Sequence, residues 1–544
     1  MLFISILLLI MVMAIPSLKT KFSPILFQRL SSIILIYAGA LSFNALYIQS
    51  IGSGIGIYSG LFHVTFISQV LDIFIFFIGA IILIARPSIA KINSSLEKKE
   101  NLKILENNYK NAIEYSLIIM FSTLGASLLI SSADLISMYL SIELQSFGVY
   151  ILTTLYKNSE SATSAGLKYF LLGSLSSCFI LLGSGLIYTY TGLTNFESIY
   201  CLLSSQGLHT NSIVLGLTLG FIFIFVGFLF KISAAPLHNW SPDVYDDSPT
   251  IVAIWLTVMP KLSILFFLLE IYTHIGLFSN NYSGLELLDS LTSIQTDFIN
   301  NVSSDSENNI IKNLLLISSL LSLIIGTVVG LAQSKIKRLL AYSTISHIGF
   351  ILLALAINTE QSIDSFIFYI IQYTITNLNT FLILLALGYI INNSVLYNKG
   401  SEKDIRFISE LKGQFFSNPL ITISLTLCLL SMAGIPPLMG FFSKQFVLYS
   451  AVENGYYFMA ILGILVSIIS TSYYLRIIRI LHTEVNISHS AEAKPLENLE
   501  NESNISNFHS FLISNLTLII LLFVLKPSIL LKSTQLLSLS LFYY

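Results

Sequence analysis

Apolar runs of about 20 residues recur along the whole chain, separated by short polar segments. A helix crossing the hydrocarbon core of a bilayer needs about that length. Within lipid only helices or closed barrels satisfy their own backbone hydrogen bonds. About fourteen runs qualify, near 2–16, 30–48, 66–85, 112–131, 133–155, 165–190, 212–246, 249–272, 312–331, 338–357, 363–392, 418–452, 456–481 and 509–530. They predict an all-α polytopic membrane protein with about 14 transmembrane helices. Composition agrees: 54% of residues are hydrophobic, 10% are charged and the mean hydropathy is +0.80, against about 25% charged in a soluble domain. A soluble enzyme is excluded. The opening "MLFISILLLIMVMAIP" has neither a basic start nor a small-residue cleavage site, so it reads as a first span rather than a cleavable targeting segment.

The basic residues orient these spans. Of the 27 lysines and arginines, 21 fall in loops after odd-numbered spans or at the flanking helix ends. By the positive-inside rule those loops face the matrix or cytoplasm, and both termini face the opposite side. Only Lys312, Lys526 and Lys532 lie on that opposite side. Lys231, Lys261 and Lys444 remain, each inside a predicted span, where a charge is costly.

The seventh and twelfth spans are too long for one straight crossing. The seventh is interrupted at Pro236 and the twelfth at Pro436 and Pro437, and each carries a lysine near its break. Paired interruptions of this kind mark the two halves of a transporter-like fold. They stand five spans apart, an odd number, so the copies must be inverted. Spans 4–8 and 9–13 are therefore expected to form an inverted repeat with broken helices 7 and 12. The implied organisation is an N-terminal group of three spans (1–111), a first half (112–272), a second half (312–481), and a polar loop with a last span (482–544).

Glu143 is central in span 5, Lys231 lies at the break of span 7, Lys261 is in span 8, His347 is central in span 10, and Lys444 follows the second break. Burial disfavours a charged lysine and a nearby carboxylate favours it. A lysine whose glutamate partner approaches and retreats would bind and release a proton. These five residues are the candidate proton-carrying groups. Glu143–Lys231 could instead be a structural pair, and His347 a satisfied core histidine. Lys335, Lys337 and Arg338 read as topology determinants, and Asp72, Glu114, Asp134 and Glu270 as groups at helix ends. Asp243, Asp246 and Asp247 read as a solvated helix-end loop, and Trp240 as an interfacial anchor.

Other chemistry finds no support. "GSGIG" at 52–56 neither follows a strand nor opens a soluble helix, so it is not a dinucleotide site. Cys178, Cys201 and Cys428 are scattered singly, without metal-type spacing. No nucleotide or metal site is expected on this chain.

The segments "LFKISAAPLHNWSPDVYDDSPT", "VMPKLSIL", "AQSKIKRLLAYSTISHIGF" and "MAGIPPLMGFFSKQFVL", in this order, resemble the chain 2 family of NADH–ubiquinone oxidoreductase, respiratory complex I. That family sits among antiporter-like subunits that include the bacterial N subunit and subunits of multi-component sodium/proton antiporters. The Asn- and Ser-rich loops at 276–311 and 483–508 are similar to those of fungal mitochondrial versions. The resemblance implies a proton-translocating membrane-arm subunit in the mitochondrial inner membrane. Glu143, Lys231, Lys261 and Lys444 match the family's charged positions, and His347 a polar position on the axis. It also implies that FMN, iron–sulfur clusters, NADH and ubiquinone belong to other subunits, with none on this chain. The implied partners are other membrane-arm subunits, neighbouring antiporter-like subunits among them, and membrane lipids, with no nucleic acid. The alternative is a subunit of a multi-component cation/proton antiporter.

Overall fold

The structure, a computed structural model, describes residues 1–15, 24–48, 54–85, 99–157, 159–205, 211–280, 304–395, 404–484 and 506–542. The basic loops at 86–98 and 396–403 and most of the two Asn/Ser-rich loops lie outside the described residues.

Helix α1 (Leu2–Ala14) and α2 (Pro24–Ile48) precede a hairpin of β1 (Ile55–Ile57) and β2 (Phe62–Val64), followed by α3 (Phe66–Ile84). The first half contains α4 (Lys99–Ile130), α5 (Leu135–Thr153), α6 (Glu160–Thr191), a short α7 (Phe196–Ser205), α8 (Asn211–Lys231), α9 (Trp240–Asp247) and α10 (Thr250–Asn280). The second half contains α11 (Ser304–Leu331), α12 (Ile336–Ile357), α13 (Glu360–Val395), a single turn α14 (Gln414–Ser417), α15 (Pro419–Ala433), α16 (Met439–Glu453) and α17 (Tyr457–His482). Helices α18 (Asn507–Leu522) and α19 (Ser528–Phe542) close the chain.

A helix or broken helix occurs at each of the fourteen expected positions. Among the described residues, 11 helices are long and apolar enough to cross a membrane; α1, α15 and the apolar part of α8 are shorter. The last two belong to the broken spans, α8–α9 and α15–α16. Several elements lie beyond what apolar runs could show. Helix α4 begins at Lys99, well before its apolar part, and α10 and α11 extend into polar sequence. The hairpin, α7 and α19 are too short or too polar to register as spans.

The inverted repeat is visible in the packing. A Cβ on Gly125 would meet Gln145 N at 2.7 Å and Ser141 O at 3.1 Å; one on Gly326 would meet Ser346 N at 2.6 Å and Tyr342 O at 2.9 Å. These matched positions are equally separated in sequence, as are Gly148 and Gly349, and Pro236 and Pro437. In both halves a residue beside a helix start forms a bridge with the segment before a short helix: Asp134 with Asn195, and Lys335 with Phe407. Only glycine lets α4 pack on α5, and α11 on α12, this closely. Carried further, the same separation sets Thr344 opposite Glu143 and His347 opposite Ser146.

The apolar windows of α10 and α12 are each 94% buried, those of α6 and α17 only 33% and 39%. The lysine-bearing α10 and the histidine-bearing α12 thus form the centre, and α6 and α17 flank it. At one end the hairpin covers the α4–α5 turn, with His63 N donating to Ser131 O at 2.7 Å and Ala133 N to Leu61 O at 3.0 Å. The other end carries charged residues.

Candidate functional site: a buried row of lysines

In the first half, Lys231 ends α8 where the helix breaks. Its ammonium lies 3.4 Å from Glu143 Oε1 on α5, with the two side chains 8% and 15% exposed. Removing one member of such a buried pair typically costs about 3–5 kcal/mol, because the other charge is left uncompensated. The broken backbone needs partners too. Trp240 supplies one: its indole N–H donates to Phe230 O at 2.9 Å, and its ring stacks on Tyr169 at 4.6 Å. This corrects the sequence expectation. Trp240 is 3% exposed and is a strut across the break, not an interfacial anchor.

Between Lys231 and α10 lies a cavity of about 10 Å³ lined by Gln145, Ser146, Tyr169, Lys231, Pro260 and Ile264, among others, which is room for about one water. Beside it, Gln145 Nε2 donates to Ser263 Oγ at 2.9 Å. Lys261, 1% exposed, lies on the same helix. It donates to Thr344 Oγ1 at 3.0 Å and sits over the Tyr245 ring at 5.4 Å, within cation–π reach. Lys261 therefore joins the halves: its helix belongs to the first and its acceptor to the second.

His347 follows Thr344 by one turn of α12. Its Nδ1 lies 2.8 Å from Tyr369 Oη and its Nε2 3.4 Å from Tyr474 Oη. Beyond it, Lys444 on α16 is 7% exposed. It donates to Ala433 O at 2.9 Å, a carbonyl freed by the second break, and lies 5.7 Å from the Phe350 ring centre. Lys444 makes no ion pair among the described residues. Gly434, at φ +85°, turns the chain beside it.

Sequence reading passed over a stripe on α13. Ser362, Ser365, Tyr369, Gln372, Thr376 and Asn379 recur at alternating spacings of three and four, so they share one helix face, and all are at most 2% exposed. Tyr369 meets His347. Gln372 accepts from Ser443, next to Lys444, at 3.4 Å, and Asn379 donates to Cys428 Sγ at 3.1 Å. The stripe spans about 25 Å. Its spacing was legible in the sequence, but neutral polar residues lower a span's hydropathy only slightly and so draw no attention.

The charged end also differs from expectation. Lys335 and Asp246 pair at 2.6 Å, Lys168 and Asp243 at 3.3 Å, Lys337 and Asp404 at 2.6 Å, and Arg338 contacts Asp243. Lys335, Lys337 and Arg338 thus do more than set topology. They tie α12 of the second half to α9 and the following turn of the first, and Asp243 and Asp246 are their partners rather than a free solvated loop. Asp404 lies in the loop before α14. Its partial burial would raise its pKa, but the Lys337 ammonium and the Thr250 donors outweigh this and hold the carboxyl below its usual value. Asp134 lies at a helix end as expected, but it is buried and caps α5 through Ile136 N at 2.9 Å. No group of three or more metal-ligating side chains occurs among the described residues.

Comparison with known proteins adds to this geometry. Residues 132–305 and 295–470 match the family model described as NADH:quinone oxidoreductase/Mrp antiporter, transmembrane. The chain is 48% identical to NADH-ubiquinone oxidoreductase chain 2 of Rhizopus oryzae, over 98% of this chain and 99% of that one. Its fold resembles a chain of respiratory complex I from Thermus thermophilus, with a TM-score of 0.67 and 22% identity over 98% and 99% of the two chains. It also resembles a chain of the Mrp complex from Dietzia, with a TM-score of 0.71 and 17% identity over 98% and 95%.

Proposed function

The chain belongs to the NADH:quinone oxidoreductase/Mrp antiporter transmembrane family, and from that premise we propose how it carries protons. It is an antiporter-like membrane-arm subunit of the proton-translocating NADH:ubiquinone oxidoreductase and a multi-pass inner-membrane protein. Our reading is that protons pass through Glu143, Lys231, Lys261, His347 and Lys444. Electron transfer, with its FMN, iron–sulfur clusters, NADH and ubiquinone, takes place on other subunits. Neighbouring antiporter-like subunits and lipids surround the chain, and both termini face the intermembrane space. Its working units are the two inverted halves, 112–272 and 312–481.

One observation carries this reading: the lysines form a buried row stepping from one half to the other, each held by a different kind of acceptor. Lys231 has a carboxylate, Lys261 a hydroxyl and Lys444 a backbone carbonyl. A proton on Lys231 is favoured while Glu143 stays close and is released when the two separate. Lys261 then carries charge across to Thr344, and His347 and the α13 stripe lead to Lys444. The stripe supplies hydroxyls that both donate and accept at one atom, which is what a proton relay needs, and amides that orient them. The antiporter alternative ranks second, because the 48% identity over nearly the whole chain is to a complex I chain, whereas the Mrp chain shares 17%.

The test is proton translocation by the purified, assembled complex in sealed vesicles carrying Lys261→Met. We expect pumping to fall severely while assembly persists. Unchanged pumping would remove the lysine row from the path.

A further inference from the structure

We propose that Asp404 is a positioning residue that sets the Lys261–Thr344 contact from the charged end of the molecule. The proposal rests on the proton-path reading above.

Asp404 touches both helices that meet at that contact. Its Oδ2 accepts from Thr250 N at 2.9 Å and from Lys337 Nζ at 2.6 Å. Its Oδ1 accepts from Thr250 Oγ1 at 3.1 Å. Thr250 starts α10, where backbone N–H groups lack helical partners and a negative charge is favoured. Lys337 lies in the first turn of α12 and also donates to Ser248 O at 2.9 Å. One carboxylate thus pins the beginnings of α10 and α12 together.

The carboxylate is itself held in place. Ile336 N donates to Arg406 O at 3.0 Å, and Ile408 N to Ser334 O at 3.1 Å, so backbone bonds lace its segment to the start of α12. From the pinned starts, Lys261 lies about 16 Å along α10 and Thr344 about 10 Å along α12. Helix α10 contains Pro260 immediately before Lys261. Proline removes a helical hydrogen bond and permits a kink. With a kink there, the direction of Lys261 depends on how the start of α10 is held. A hydrogen bond of 3.0 Å tolerates only a few tenths of an ångström before it weakens.

Among the described residues, the first half lacks this arrangement. Asp134 stands at the corresponding bridge, but it caps its own helix and binds Thr194 Oγ1 at 2.8 Å, inside one half. Asp404 reaches from the second half into the first.

The test measures protons moved and NADH oxidised per assembled complex in sealed vesicles, for Asp404→Asn, Asp404→Glu, Thr344→Val, Lys261→Met and the double variant Asp404→Asn/Thr344→Val. We expect Asp404→Asn and Thr344→Val each to lower pumping, the double variant to be no worse than the worse single one, and Asp404→Glu to restore most of the loss. Groups acting through one contact are non-additive in this way. Should Asp404→Asn fail to assemble, Thr250→Val, which removes only the hydroxyl contact, takes its place and is expected to be partial and equally non-additive with Thr344→Val. Additive losses, or equal damage from Asp404→Glu and Asp404→Asn, would leave Asp404 a loop staple and overturn the proposal. Wild-type pumping in Lys261→Met would overturn it differently, by removing the path on which it rests.

Discussion

The two halves share a backbone plan and differ in how each holds its lysine. In the first, Lys231 precedes the break and faces a carboxylate. In the second, Lys444 follows the break and, among the described residues, faces a backbone carbonyl and the Phe350 ring but no carboxylate. The position matching Glu143 is Thr344, which serves Lys261 instead. A charge pair can be separated and re-formed by a change in its surroundings, so on the proposed path the first half is the one that is driven. A lysine on a carbonyl has no carboxylate to lose, so on the proposed path the second half is the one that responds. Equivalent folds have thus been given unequal electrostatics.

The strongest way to break this comparison is Lys231→Met. It leaves Glu143 uncompensated and removes the group that is driven. We expect an assembled complex whose proton pumping and coupled quinone reduction drop on the order of a hundredfold, the scale of losing a proton-transfer group. Near-normal pumping would make the pair structural.

Lys444 gives the second test. Arginine keeps the charge but does not deprotonate in proteins. Lys444→Arg should therefore be nearly as damaging as Lys444→Met, and wild-type pumping with arginine would reduce Lys444 to a structural cation. Glu143→Gln should be milder than Lys231→Met, since the titrating lysine survives; equal severity would place the essential proton on the carboxylate. Gln372→Leu removes one neutral link of the α13 stripe. A lost neutral hydrogen bond of about 1 kcal/mol predicts about a fivefold fall in pumping rate, and an unaffected rate would take the stripe out of the relay. The smallest effect concerns the second break. A Cβ on Gly434 would lie 3.0 Å from Lys444 Cδ, at φ +85°. Gly434→Ala should destabilise the chain by about 1 kcal/mol or more, read as a lowered midpoint of thermal unfolding; an unchanged midpoint would mean the turn relaxes freely.

The sequence shows clearly whatever is strongly apolar or strongly charged within apolar surroundings. The spans, the two breaks and Glu143, Lys231, Lys261, His347 and Lys444 all stand out on that basis, and the structure puts each on its expected helix. The partners were hidden. Thr344, Tyr369 and Gln372 are ordinary polar residues whose roles depend on which helix faces them. Asp404 lies far in sequence from Thr250, and no local pattern joins them. Trp240 was misread for a related reason: tryptophan suits both a membrane interface and a buried strut, and only the position of the Phe230 carbonyl decides between them.

Helix α13 has a consequence for how the protein is made. Gln372, Asn377 and Asn379 lie in a span that is synthesised before α15 and α16. Cys428 and Ser443, which bond Asn379 and Gln372, come later in the chain. Polar amides in hydrocarbon seek partners, so α13 should linger beside the insertion machinery, or against α12, until the remaining helices arrive. The order of synthesis then becomes an order of assembly, with the first half settled in the bilayer before the second can close.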